Sequence, residues 1–168
     1  MSLLLSAVAV RCAPLAAVVS MTLLGSSGGP TLEVSQTRMI HAPPAAVWAV
    51  IGEFCDIRRW HGQTRACALF HDEGQTVRNL DLRGIGTLVE VQLDRDEEAM
   101  TYSYALVHSP WPVKQHRATL TLTPSKNGTL VVWRATFRLQ TSCDEGAVSH
   151  IEAIFRDGLA GIAREAAR

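Results

Sequence analysis

The chain has 168 residues, of which 47% are hydrophobic, enough for one core but not comfortably for two. Its 16 basic and 16 acidic side chains cancel and are spread along the sequence. No basic stripe exists to track a phosphate backbone, so nucleic acid is not an expected partner.

The first thirty residues differ from the rest. Arg11 precedes an apolar run from Cys12 to Leu24 that is too short to cross a bilayer comfortably, and small residues follow, Gly25-Ser26-Ser27-Gly28-Gly29. The segment 1–27 reads as a secretory signal, which implies a periplasmic or secreted protein without stable membrane insertion after cleavage. The alternative is an uncleaved anchor or an unstructured apolar tail, which would leave a cytoplasmic location open. Cys12 would leave with the signal. Cys55, Cys67 and Cys143 form no C-x-x-C pair, and buried free thiols are the preferred expectation, with one bridge and a spare thiol as the alternative outside the cytoplasm.

Residues 31–168 read as one ligand-binding domain. A first strand spans 32–40, and Pro43-Pro44 then opens a short helix carrying Val47, Trp48, Ile51 and Phe54 at helical spacing. A second short helix or turn follows over 55–61 and ends at Gly62. The period then changes to two, which predicts strands over 65–71, 76–83, 86–94, 100–108, 116–123 and 129–139. Turns fall at Asp72-Glu73-Gly74, Gly84-Ile85-Gly86, Asp96-Glu97-Glu98 and the favoured hairpin dipeptide Asn127-Gly128. The chain closes with a long helix, capped near Asp144, in which Val148, Ile151, Phe155, Leu159, Ile162 and Ala166 form one stripe. That stripe must be buried, and only the inner face of the sheet is large enough to receive it. The fold class is therefore α+β of the helix-grip kind: a curved seven-stranded antiparallel sheet around a long C-terminal helix, with two short helices after the first strand. The gap between sheet and helix is the expected ligand site.

Polar residues placed on inward phases are the candidates for orienting a ligand. His116 shares a face with Ala118, Leu120 and Leu122. Arg78 is in phase with Leu80 and Leu82, and as a buried guanidinium it needs a carboxylate, for which Glu90 is a candidate. Glu90 itself is in phase with Leu88 and Gln92, whereas Val89, Val91 and Leu93 form the more apolar set, so simple alternation places Glu90 outside. Trp48 and Trp133 lie at core periods. Trp60 and Trp111 lie at loop edges where they could line a cavity mouth, Trp111 between Pro110 and Pro112. His41 and His71 sit in turns and are expected to face solvent, and His108 could lie beside the Trp111 loop, either at an entrance or simply on the surface. Gly84-Ile85-Gly86 leads into a strand, so it is a hairpin and not a phosphate cradle.

From Leu32 onward the chain resembles the START-like superfamily, and within it the bacterial polyketide cyclase/dehydrase (SRPBCC) group. The resemblance rests on Ala42-Pro43-Pro44-Ala45-Ala46-Val47-Trp48, Phe54-Cys55-Asp56-Ile57-Arg58-Arg59-Trp60-His61, Trp133-Arg134-Ala135-Thr136-Phe137 and Gly158-Leu159. It implies the fold but not one activity, because lipid carriers, cyclases, lyases and hormone receptors share this scaffold. A more distant similarity to plant abscisic acid receptors puts His61 at a ligand-contacting lysine and Glu90 at a pocket glutamate. It also matches Tyr104, His116, His150 and Ile154 to pocket-lining positions, while the receptors' two gating loops are not reproduced. Gln63-Thr64-Arg65 stands where bacterial relatives are more apolar, which implies a more polar entrance. Gln63, Leu80, Trp111 and Gly158 complete the expected lining.

If His61, Glu90 and His116 converge, three chemistries are open. They could orient a bound molecule, transfer protons, or hold a metal. No close-spaced H-x-x-x-H motif is present, so neither metal nor cofactor is expected. The expected function is binding or carriage of a small hydrophobic or amphipathic molecule. The alternatives are a cyclase, dehydratase or lyase using His116 and Glu90 on a polyketide-like or aromatic substrate, and an interaction module whose Trp111 loop docks an unknown protein.

Overall fold

The computed structural model describes residues 29–141 and 146–168. The segment read as an export signal, the cap at Asp144 and Cys143 lie outside the described residues. Seven strands form one antiparallel sheet in the order β1-β7-β6-β5-β4-β3-β2. They are β1 Leu32–Ile40, β2 Thr64–Asp72, β3 Gln75–Leu82, β4 Gly86–Asp96, β5 Thr101–His108, β6 Val113–Ser125 and β7 Gly128–Leu139. Two short helices, α1 Pro44–Ile51 and α2 Ile57–Trp60, fill the crossover between β1 and β2, and α3 Gly146–Ala166 closes the chain. Pro44 stands at the start of α1, where a missing N–H costs nothing. Among the described residues no helix is long and apolar enough to cross a membrane.

The inner face of the sheet is apolar where α3 crosses it: Leu120, Val131, Trp133, Ala135 and Phe137 are all buried against the helix face of Ile151, Phe155, Leu159 and Ile162. The buried stripe of α3 also includes Ile154, Gly158 and Gly161. The two glycines set how close the helix can come. A Cβ on Gly161 would collide with the Trp60 carbonyl oxygen, and one on Gly158 would meet the Trp133 ring at 2.5 Å. Lying against the helix backbone at these points, Trp60 is buried and packs edge-on to Trp133 at 5.6 Å, away from any mouth, which corrects the loop-edge expectation.

Bulges bend the sheet around the helix. In β6, Gln115 has φ +54°, and the register passes from Lys114 opposite Arg138 to Arg117 opposite Thr136. Two residues there face only Phe137, and His116 keeps the inward phase it shares with Ala118, its ring 6.2 Å from the Phe137 ring at an interplanar angle of 27°. In the β4–β5 pair Val107 and Leu93 fall at the register shifts, which accounts for two large apolar side chains left exposed.

A second tie holds the helical corner to the sheet. Cys55 and Cys67 form a disulfide with Cα atoms 5.6 Å apart, within the usual range for such bridges. The expectation of free thiols is corrected for this pair. Spacing could not reveal the bridge, because Cys55 precedes α2 and Cys67 lies on edge strand β2, and only the crossover brings them together.

Candidate functional site

Beneath α3, between β3–β6 and the α2–β2 connection, lies a cavity of about 40 Å³. That volume takes roughly three waters. Its apolar wall comes from Ile57, Leu80, Leu82, Leu88, Trp133, Ile151, Ile154 and Phe155, and its polar wall from His61, Gln63, Thr64, Glu90, Tyr104, Trp111 and His116. Of the residues expected to line a ligand site, His61, Gln63, Leu80, Glu90, Tyr104, Trp111, His116 and Ile154 do so. Arg78, His150 and Gly158 do not line this cavity. Gly158 lies under the rings of Trp133 and His61, and His150 faces an open groove outside the cavity.

Glu90 faces inward, which corrects the alternation reading. It is 4% exposed and stands directly opposite Arg78 in the β3–β4 register. Arg78 Nε donates to Glu90 Oε2 at 2.6 Å, and Arg78 Nη1 donates to the Phe54 carbonyl. The guanidinium also lies over the Phe54 ring at 3.9 Å and faces the Tyr104 ring at 5.0 Å. The carboxylate therefore sits inside because its counter-charge is one strand away. Burial is the strongest single influence and works against the Arg78 charge, but Glu90, Tyr102 and Tyr104 together outweigh it and hold the guanidinium pKa above its ordinary value. Val89 and Val91 face the other side, half-buried.

The remaining polar wall is less completely paired. The α2–β2 connection turns tightly, Thr64 N–H donating to the His61 carbonyl at 2.9 Å, and this places His61, Gln63 and Thr64 along one rim. His61 Nε2 is 3.3 Å from the Ile154 carbonyl of α3. Tyr104 Oη accepts from Trp133 Nε1 at 3.0 Å. Five atoms of cavity-lining side chains are buried without a hydrogen-bond partner among the described residues: His61 Nδ1, Gln63 Oε1, Thr64 Oγ1, Trp111 Nε1 and His116 Nδ1. Burial pushes the His116 pKa down to about 4. It also lowers that of His61, against a partial offset from the Ile154 carbonyl and Asp157. Both imidazoles are neutral at pH 7. Burial raises the Tyr104 pKa well above its ordinary value, so the phenol keeps its proton.

Trp111 separates inside from outside. It lies in the bend before β6, where its N–H donates to Ser109 Oγ at 3.0 Å and its carbonyl accepts from Val113 at 2.8 Å. Its ring meets His150 edge-on at 5.5 Å. Together with Ile151 it belongs both to the cavity wall and to an outer groove of about 410 Å³. His41 and His71 are exposed, as expected, and His108 is exposed too and lines neither the cavity nor the outer groove. Among the described residues no group of three or more His, Cys, Asp or Glu side chains is arranged to hold a metal ion.

Sequence reasoning left several liners out. Leu82 shares the inward phase of Arg78 and Leu80, so periodicity could have found it, whereas Leu88 shares the phase of Glu90, which alternation placed outside, and only the Arg78 pairing across β3 and β4 turns that set inward. Trp133 and Phe155 were legible as core residues, and they are also cavity wall, their rings stacked at 4.2 Å.

Solved structures share this architecture. The protein XoxI from Bacillus cereus matches with a TM-score of 0.69 and 26% identity, over 80% of this chain and 93% of that one. A protein from Thermobifida fusca matches with a TM-score of 0.63 and 30% identity, over 81% of this chain and 92% of that one. The Zhui aromatase/cyclase of a Streptomyces species, at 19% identity and a TM-score of 0.68, shares the fold over 83% of this chain and 95% of its own. Residues 31–167 match the family described as polyketide cyclase/dehydrase and lipid transport. With that match spanning the sheet, the cavity and α3, the chain belongs to the polyketide cyclase/dehydrase and lipid transport family.

Proposed function

We propose that the protein binds or carries a small hydrophobic or amphipathic molecule in the cavity between the sheet and α3. The observation that carries this reading is the set of five buried, unpartnered polar atoms on residues of a wall that is otherwise apolar and aromatic apart from the paired Glu90. Buried polar groups are normally paired, and a wall whose residues leave five polar atoms unpaired suits a guest that supplies the partners. Ligand pockets for drug-sized molecules run from about 300 Å³ upward, so a guest of that size would be admitted by rotation of Trp111, merging cavity and groove. Native mass spectrometry of the protein purified from its own host, followed by solvent extraction, should show an added small-molecule mass. A protein that stays empty from every growth phase would count against carriage.

The acid–base reading, a cyclase, dehydratase or lyase working through His116 and Glu90, has less support from the site. A histidine whose pKa lies near 4 is a weak base at neutral pH, and Glu90 is engaged by Arg78. In an enzyme, His116→Ala would abolish turnover and leave ligand affinity within about tenfold. In a carrier the same change lowers affinity and there is no turnover to lose.

A periplasmic or secreted location is part of the proposal. The Cys55–Cys67 disulfide supports it, since such bridges persist mainly in oxidising compartments. Alkylation of whole cells under denaturing conditions should leave Cys55 and Cys67 unmodified until a reductant is added, and immediate labelling would argue for a reducing compartment.

A further inference from the structure

We infer, building on the binding reading above, that the cavity selects an uncharged molecule bearing a hydroxyl or N–H donor on an apolar or aromatic body, and that it rejects carboxylates. The inference follows from counting what each unpaired atom can accept or give.

His61 decides the first half. A carbonyl oxygen only accepts, so the 3.3 Å contact with Ile154 assigns the ring proton to Nε2. Burial keeps the ring neutral, and Nδ1 is then a bare lone pair without a partner on a cavity-lining residue that is only 5% exposed. Gln63 Oε1 is a second unpaired acceptor at the same rim. Both ask for a hydrogen from the guest. Trp111 Nε1 can only donate, and Thr64 Oγ1 can do either. Tyr104 already accepts from Trp133, so its own proton remains to be given. A hydroxyl both gives and accepts and so answers both kinds of atom.

Charge decides the second half. Among the described residues no lysine or arginine lines the cavity, and Glu90 is its one formally charged liner. Arg78 is turned away into Glu90, the Phe54 carbonyl and two aromatic faces, and has no approach to the void. A guest carboxylate would therefore meet a second carboxylate without a free cation, and it would have no hydrogen for His61 Nδ1 or Gln63 Oε1. A pure hydrocarbon avoids the charge conflict but leaves all five atoms unpaired.

Single-ring compounds ask least of Trp111 and separate these cases. The full chain is titrated at pH 7 with phenol, anisole, benzene and benzoate while amide and side-chain chemical shifts are followed. Phenol should bind at least about tenfold more tightly than anisole, benzene or benzoate, with the largest shifts at His61, Gln63 and Trp111. Benzoate binding as well as phenol would overturn the inference while leaving the cavity reading intact, and so would anisole matching phenol. Absence of shifts at the cavity with all four would overturn the binding reading itself. In His61→Phe, which keeps a ring but removes the acceptor, the gap between phenol and anisole should shrink to about threefold or less. An unchanged gap in the folded variant would remove His61 from the selection.

Discussion

Arg78 and Glu90, 1% and 4% exposed, are buried as deeply as His116 and Thr64, at 4% each, yet the two groups are treated in opposite ways by the fold. The first pair is enclosed by partners: an ion pair at 2.6 Å, the Phe54 carbonyl and two aromatic rings. The second group, with His61, Gln63 and Trp111, keeps one polar atom each without a partner among the described residues. A buried charge tolerates no such neglect, because its desolvation has to be offset within the protein, whereas a neutral hydroxyl or imidazole left unpaired costs far less. The fold therefore meets the Arg78 and Glu90 charges with partners that tie strands β3 and β4 to the helical corner, and leaves unpaired atoms on neutral polar residues of the cavity wall. Missing partners alone do not mark a site residue, because Trp60 Nε1 and Gln92 Nε2 are also buried without partners and neither residue lines the cavity; missing partners together with a place on the cavity wall do.

The largest effect should come from breaking the paired group. Arg78→Met leaves Glu90 buried without its counter-charge and should lower stability by about 3–5 kcal/mol in urea unfolding. Adding Glu90→Leu should recover most of that loss. If the single variant is as stable as the parent, the pair is not the anchor described here.

The unpaired group should show itself in pH dependence. His116 titrates near pH 4 when folded, against 6.5 for an ordinary histidine, so between those values the unfolded chain takes up a proton that the folded chain refuses. The stability present above pH 6.5 is then lost progressively as pH falls towards 4, by an amount on the order of 3 kcal/mol. His61, lowered in the same direction, adds to the loss. Unfolding at pH 7 and pH 4.5 measures it, and His116→Phe should flatten the curve. A profile equally steep in that variant would assign the loss to other groups.

The smallest effect is the sharpest. Thr64→Val replaces an unpaired buried hydroxyl by a methyl of nearly the same shape, and it should raise stability by up to about 1 kcal/mol while weakening a hydroxylated ligand. A destabilised Thr64→Val protein would mean that the hydroxyl is already satisfied, and that the wall is less open than described.

Much of this was legible beforehand, for physical reasons that differ by element. The strand over 32–40 and the hairpin at Asn127-Gly128 stand as expected, because a period of two and a turn dipeptide are local signals. His116 was legible too, since its bulge preserves the phase it shares with Ala118 and Leu120. Glu90 was ambiguous, since alternation weighs hydrophobicity alone and cannot register a cation on the next strand. Gly161 gave no signal, because its role depends on the Trp60 carbonyl, 101 residues earlier in the chain by the numbering.

Periodicity, turn chemistry and the apolar stripe of the last helix were sufficient, in the sequence alone, to determine a curved antiparallel sheet around that helix. These are short-range properties, written in neighbouring residues. Tertiary structure alone decided the Cys55–Cys67 bridge, the inward turn of Glu90 beside Arg78, the displacement of Arg78, His150 and Gly158 from the cavity wall, and which polar atoms remain unpaired. Each depends on the distance between groups far apart along the chain, which is set only when the sheet has curled and the helix has closed over it.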